Sequence, residues 1–400
     1  MTDRRLRLLW VSPWSAPSLV GGGEQLRQAS LLLRLGERHD VHIVAPHEPE
    51  DRAVRAAVGQ VTIVDCPHGS TRWTRSRPGL LAHALFGRDP LVAAAERRRR
   101  RAFRAAVEPL AAEVDAVLVE HVEFARIAGG RHADPAWILT AHYLPSRQAE
   151  HLAALGSPRW RWLWATDVRR AGRLERWAAR RYDAIVAVSP DDASALEGMV
   201  SVVPNGVSLD RPVSPLPAEP TVLFLGSLDT RANVDGISWF VGEAWPEIRQ
   251  ELPAARLVVA GRSPTAEVVS LVADAQGVEL LPDVADVTLV LEMSRIVVVP
   301  LRVGSGTRIK ALQGLAHARV VVGTSIGLEG LGLTDRRDAL VADDPRTLAA
   351  SVVAACLDGA LASRVAAAGR THAQEHFSWT ASADALDRLL QKVVPRSRSG

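Results

Sequence analysis

Arg295-Ile-Val-Val-Val-Pro300-Leu-Arg-Val-Gly304-Ser-Gly-Thr-Arg308-Ile-Lys310-Ala-Leu-Gln313-Gly-Leu-Ala-His317 is the stretch on which the fold turns. It opens with a continuously apolar, β-branched run, the pattern of a strand buried on both faces by helices. A glycine-rich turn follows, and Thr307 is expected to cap a helix. On the helical wheel Ile309, Leu312 and Ala316 share one face, while Lys310, Gln313 and His317 share the other with Gly314 beside them. Strand, glycine turn and amphipathic helix make one βα unit.

The same rhythm runs through the chain. Strand-like runs at 6–11, 40–45, 61–65, 115–119, 136–140, 183–188 and 200–203 precede a break, and others follow at 221–226, 256–261, 278–281, 295–300, 320–323 and 339–342. Most spacings leave room for a helical crossover, so the reading is α/β with parallel sheets. The break holds Pro204-Asn205-Gly206 and the proline-rich residues 211–220. The expected organisation is a Rossmann-like N-terminal domain at 1–203, a hinge or linker at 204–220, and a second Rossmann-like domain at 221–376. Residues 377–400 are expected to form a helix and tail, with Trp379, Ala383, Leu386, Leu389 and Leu390 as a stripe that packs back on one of the domains. Two such halves are expected to leave a ligand cleft between them.

Composition excludes several classes. The 400 residues are 47% hydrophobic and 23% charged, with no apolar run near the ~20 residues of a membrane-spanning helix. Two cysteines, Cys66 and Cys356, support neither a disulfide framework nor a zinc cluster, and no histidine grouping has metal spacing. Residues 1–7 run into a strand without a signal-peptide core, so a cytoplasmic setting is expected, with peripheral contact at the inner membrane face as its variant. A net charge of +3 is small for a nucleic-acid binder. Of 48 basic residues only Lys310 and Lys392 are lysines, which makes the lysine beside a glycine turn conspicuous.

That turn has phosphate chemistry. Glycines let backbone amides approach an anion, and the start of the helix presents the positive end of its dipole. Arg308 adds a forked donor and Lys310 a compact charge. An ordinary capped turn with exposed charges accounts for the same residues. Gly21-Gly22-Gly23-Glu24 follows the first strand in the same way, as an anion-facing loop or a plain tight turn.

Together with Leu139-Thr-Ala-His142, Asp183-Ala-Ile-Val-Ala-Val-Ser189, Val203-Pro-Asn-Gly-Val207, Leu223-Phe-Leu-Gly226, Asn233-Val-Asp235, Thr324-Ser-Ile-Gly-Leu-Glu-Gly330 and Phe377-Ser-Trp379, these motifs resemble, in order and spacing, a GT-B-fold retaining glycosyltransferase of the family 4 type, also called group 1. The resemblance covers nearly the whole chain. It implies two Rossmann-like domains with a cleft between them and the C-terminal helix packing back on the N-terminal one, and transfer of a hexose-type sugar from a UDP- or GDP-linked donor to a hydroxyl-bearing acceptor, either a small natural product or a cell-envelope glycan or lipid. No metal cofactor and no nucleic-acid partner are implied, and the oligomeric state is not specified.

Carried over to these positions, Arg308 and Lys310 neutralise the departing diphosphate and His142 lies near the sugar. Gly22, Gly23, Gly304, Ser305, Gly306 and Thr307 line the donor phosphates and sugar. Gln313, Gly226 and Arg231 fall at the nucleoside. Glu24, Trp160 and Trp162 are acceptor-side candidates that no motif of the family carries over. Gln313 stands where the family has a glutamate at the ribose, and Ser227 where it has an arginine, for which Arg231 is the candidate substitute. These departures motivate a non-catalytic sugar-nucleotide-binding partner subunit as one alternative, with a sugar-nucleotide epimerase on the same fold as another. Two segments stay open. The arginine run at 96–101 reads as a solvated helix face, or else as a contact for an anionic membrane surface. Arg159-Trp160-Arg-Trp162-Leu-Trp164 fits an acceptor or interfacial element, or a partly buried helix.

Overall fold

The computed structural model describes residues 4–19, 22–66, 82–83, 87–128, 135–155, 161–209, 212–284, 286–304 and 308–395. The chain forms two compact units, one of Met1–Pro204 with Thr380–Gly400 and one of Asn205–Trp379.

The first unit holds β1 (Arg7–Val11), β2 (Asp40–Ala45), β3 (Gln60–Ile63), β4 (Ala116–Glu120), β5 (Ala136–Ala141), β6 (Ala184–Ala187) and β7 (Val200–Val202). They pair in parallel in the order β3-β2-β1-β4-β5-β6-β7. The second unit holds β8 (Thr221–Leu225), β9 (Arg256–Gly261), β10 (Val278–Pro282), β11 (Ile296–Val299), β12 (Val320–Gly323) and β13 (Leu340–Val341), all parallel in the order β10-β9-β8-β11-β12-β13.

Continuous apolar runs are explained by burial on both faces. Leu8 and Trp10 join a core with Ile43 and Ile138, whereas Leu9 and Val11 join the opposite one with Val117 and Leu139. In the second unit Val222 and Phe224 face one core and Leu223 and Leu225 the other. The order of each sheet reverses beside its first strand, between β1 and β4 and between β8 and β11. Open α/β sheets bind ligands at the carboxyl ends of the strands flanking such a reversal.

The last helix, Trp379–Val393, completes the first unit. Ala383, Leu386, Leu389 and Leu390 close the face that carries Leu8 and Trp10, and burying each leucine is worth about 1.5–3 kcal/mol. Asp387 meets the buried His39 at 3.1 Å, and Arg38 reaches Asp384 at 2.7 Å.

Two expectations change. The proline-rich stretch read as a linker is strapped to the second unit: the buried Arg319 donates to Ser214 O, Ser214 Oγ and Pro215 O at 2.7, 2.8 and 3.1 Å. Arg295 donates to Pro217 O at 2.7 Å, and the boundary between units falls at Pro204 and Asn205. The arginine run is not a uniformly solvated face. Arg97, Arg98 and Arg101 are exposed on the helix Arg97–Ala111, but Arg99 and Arg100 are buried, because that helix turns them inward, and Arg100 meets Asp89 at 3.0 Å. Among the described residues no single helix is long and apolar enough to cross a membrane.

Candidate functional site

In the second unit the carboxyl end of β8 runs into Gly226. A side chain there would sit 2.7 Å from Asn233 Nδ2 and 2.8 Å from Lys310 Nζ, so glycine lets both polar groups close on the backbone. Asn233 lies on the helix Arg231–Trp239, and its amide donates to Ser227 O at 2.7 Å. Lys310 Nζ donates to Asn233 Oδ1 at 2.6 Å and lies 4.6 Å from the centre of the Phe224 ring. These described partners, an amide oxygen and a ring face, carry no formal charge. Burial, reinforced by the nearby Arg308 cation, pushes the Lys310 ammonium down to about 7.

The helix bearing Lys310 is Ile309–Ala316, and Gly314 lets it settle on the sheet against Val297 and Val321. Its capping position is Arg308, in extended conformation, one residue later than the Thr307 cap expected. The arginine is non-helical here, so its guanidinium folds back over Gly304. That glycine has φ +119° and a vacant Cβ position 3.0 Å from Arg308 Nη2, so glycine's freedom is needed there for both reasons. Two cations and the positive end of a helix dipole therefore gather at the reversal of this sheet, an arrangement whose charge is complementary to an anion.

The first unit has a site of different character. Glu24 opens the helix Gly23–Leu35, whose start is held by Gly22 N donating to Gln25 Oε1 at 2.9 Å. Glu24 Oε1 lies 2.7 Å from Nε2 of His121, the residue after β4. His121 has φ 72°, a strained conformation for a residue with a side chain and one that clusters at functional sites. Its ring stacks on that of His142, the second residue past β5's Ala141 neighbour Thr140, at 4.3 Å and 21°. His142 Nε2 bonds Glu120, which also accepts from Thr140 Oγ1 at 3.2 Å, and the Tyr143 hydroxyl donates to Glu123.

The two histidines are driven apart in charge. Burial lowers both, but Glu24, with Glu123 and Glu120 behind it, pushes His121 up to about 9. His142 falls well below the ordinary histidine range through burial and the His121 charge. Glu120 is pushed up to about 7 by burial, opposed by His121 and Arg27. At neutral pH His142 is thus uncharged beside a charged His121. Arg27 is buried and donates to Val203 O and Pro204 O at 2.8 Å each.

The structure brings Lys310 and Gly226 together, and Arg308 with Gly304. Gln313 follows Lys310 one turn on, half-buried. Arg231 is exposed, and the atoms nearest a side chain at Gly226 belong to Asn233 and Lys310. Glu24 and His142 join through His121, and Gly22 and Gly23 start the helix that carries Glu24. Trp162 is 44% exposed, while Trp160, Ser305, Gly306 and Thr307 lie outside the described residues. Sequence reasoning passed over Glu120, His121, Tyr143, Arg27 and Trp14, and quoted Asn233 without giving it a role. A signal existed for two of them: Glu120 and His121 follow a continuous apolar run directly, as His142 nearly does.

Two family models match the chain, "Glycosyltransferase Family 4" over residues 21–211 and "Glycosyl transferases group 1" over residues 219–358. An uncharacterized 44.6 kDa protein of the cps region of Klebsiella pneumoniae is 27% identical over 139 residues, 33% of this chain and 36% of that protein, so the match spans about a third of its length. Among solved structures, sucrose-phosphate synthase from Thermosynechococcus elongatus aligns with TM-score 0.72 at 17% identity, covering 97% of this chain and 99% of its own. Anabaena HepE in complex with UDP-glucose aligns at 0.67 and 14% identity over 97% and 100%. TarM of S. aureus, in a complex that includes alpha-GlcNAc-glycerol and UDP, aligns at 0.68 and 8% identity over 96% and 99%. At these identities the structures establish a common fold, in two parallel-sheet units.

Proposed function

Since this chain belongs to the glycosyltransferases of group 1 and family 4, we propose that it moves a hexose-type sugar from a nucleoside diphosphate donor to an acceptor hydroxyl, with retention at the anomeric carbon and without a metal ion. The observation that carries this reading is Lys310: a partly buried ammonium beside Arg308, at a helix start, with no formal negative charge among its described partners. A diphosphate supplies that charge. UDP and UDP-glucose in solved structures of the same fold support a uridine donor.

The chemistry follows from charge placement. As the bond between the anomeric carbon and the phosphate oxygen breaks, negative charge collects on the diphosphate and positive charge on the sugar ring. Arg308, Lys310 and the helix dipole stabilise the first, which lowers the barrier because they are already oriented. The acceptor oxygen bonds to the anomeric carbon on the face the phosphate leaves. Its proton passes to a leaving phosphate oxygen, so no enzyme base has to remove it. Neutral His142, held by Glu120, suits a hydrogen bond to a sugar hydroxyl.

Purified protein with UDP-glucose is expected to release UDP faster when an acceptor is added, to do so in EDTA, and to give a product of unchanged anomeric configuration by NMR. An absolute need for a divalent metal, or an inverted product, overturns the corresponding part. Gln313 provides a separate check, since an amide offers a ribose one acceptor where a carboxylate offers two. Gln313→Glu is expected to tighten UDP binding about five- to tenfold by calorimetry, since a charge-assisted bond gains about 1 kcal/mol over a neutral one. Unchanged affinity removes Gln313 from the nucleoside site.

A further inference from the structure

In the second unit one helix holds both sides of the glycine turn. Asn233 and Asp235 lie two residues apart on the helix Arg231–Trp239. Asn233 Oδ1 accepts from Nζ of Lys310, which follows the turn, at 2.6 Å. Asp235 accepts from Arg302, which precedes the turn, through both oxygens: Nη2 donates to Oδ1 at 2.7 Å and Nε to Oδ2 at 3.1 Å. The same guanidinium lies 5.5 Å from the centre of the buried ring of Trp239, one turn further along that helix. Residues 300–302 are gripped one after another. Pro300 O would lie 2.8 Å from a side chain at Gly236, so glycine lets the helix come this close. Leu301 O accepts from Thr324 Oγ1, and Arg302 has its carboxylate.

An ion pair open to water usually contributes little, but a forked arginine bonded twice and stacked on an indole is the exception. Its place supplies a second argument. A carboxylate two residues from Asn233 opposes an anion at Lys310 and Arg308, since like charges repel. Such a group belongs there only if its grip on Arg302 outweighs that repulsion. We propose that Asp235 and Arg302 are positioning residues for the donor phosphates. With Asn233 and Lys310 they staple the entry and the exit of the turn to one helix, and so preset it for a diphosphate. Neither residue touches the reacting atoms. A turn held at both ends lets UDP bind without first ordering it, which is where the affinity comes from. This rests on the donor reading above and adds the residues that set the shape of its phosphate site.

The test measures UDP affinity and stoichiometry by calorimetry on the full chain, and its first readout is a sign. Charge alone predicts that Asp235→Asn, which removes a negative group, tightens UDP; the staple predicts that it weakens UDP about tenfold. Arg302→Lys keeps the charge but loses the fork, and is expected to weaken UDP about fivefold. Asp235→Asn combined with Arg302→Gln should weaken it about tenfold and no further, because both changes break the same link. In every variant the UDP bound per chain is expected to match the unmodified protein. A lower stoichiometry at unchanged affinity marks a pair that only supports the fold, and overturns the proposal. So does unchanged or tighter binding by Asp235→Asn, or a double variant weakened about a hundredfold, as independent effects would give. If the unmodified protein binds UDP and the variants bind it equally, the staple falls and the donor reading stands. If the unmodified protein binds no UDP, the donor reading itself has failed and this one falls with it.

Discussion

Lys310→Ala is expected to lower turnover about a hundred- to a thousandfold, the scale on which removing one preoriented transition-state donor acts. The loss should fall on turnover more than on donor affinity, because charge on the leaving diphosphate grows as the sugar bond breaks and the ammonium meets it most strongly there. Fold is not at stake in the same degree: the lysine contacts Asn233 and the Phe224 ring, and its own desolvation opposes those contacts. Near-normal turnover in a folded Lys310→Ala protein removes the lysine from the mechanism.

The same residue predicts a pH dependence whose sign can be worked out. In the free protein Lys310 titrates at about 7, and a bound diphosphate raises it. Between those two values, binding takes up a proton. Affinity for UDP-glucose should therefore be greatest below pH 7 and fall as pH rises, by up to about tenfold per unit. Calorimetry in buffers of different ionisation enthalpy counts the proton directly. Lys310→Arg keeps a charge that does not titrate in this range, so its affinity should stay level. Glu120 and His121 titrate nearby, at about 7 and about 9, so donor binding, with the arginine variant as control, is the informative measurement rather than turnover.

Arg319→Ala is expected to cost the second unit about 3–5 kcal/mol, as removal of a buried, fully hydrogen-bonded charge does. Its guanidinium bonds carbonyls on three separated segments: His317 O at 2.8 Å, Ser294 O at 3.3 Å, and Ser214 O and Pro215 O of the proline-rich stretch. Alanine leaves all of them without that partner and opens a cavity. For a unit of this size, about 2–4 °C of melting temperature goes with each kcal/mol, so its transition should drop by about 10 °C. The two units can melt separately, so the transition that UDP shifts upward is the one to follow. A variant melting within about 2 °C of the unmodified protein shows that Arg319 is not what holds residues 214–215.

The central strands of each sheet could be read from the chain because each is a short apolar run whose alternate residues enter opposite cores, as Leu8 with Trp10 and Leu9 with Val11 do. Local chemistry suffices there. Lys310 and Arg308 were legible for a similar reason, since a glycine turn between strand and helix places cations at a helix start whatever surrounds it. The inward turn of Arg99 and Arg100 was not, because five arginines in a row look alike until a helix phase and a partner such as Asp89 distinguish them.

What the amino-acid order determined by itself is therefore the succession of strands and helices, the parallel α/β class and the cation-bearing turn, all set by neighbours a few residues apart. Tertiary structure decided which groups lose water and which charges they meet. Asn233 reaches Lys310 across 77 residues, Glu24 meets His121, and Arg319 binds Ser214 across 105. A protonation state depends on desolvation and on charges brought in from distant segments, and neither exists until the sheets have assembled.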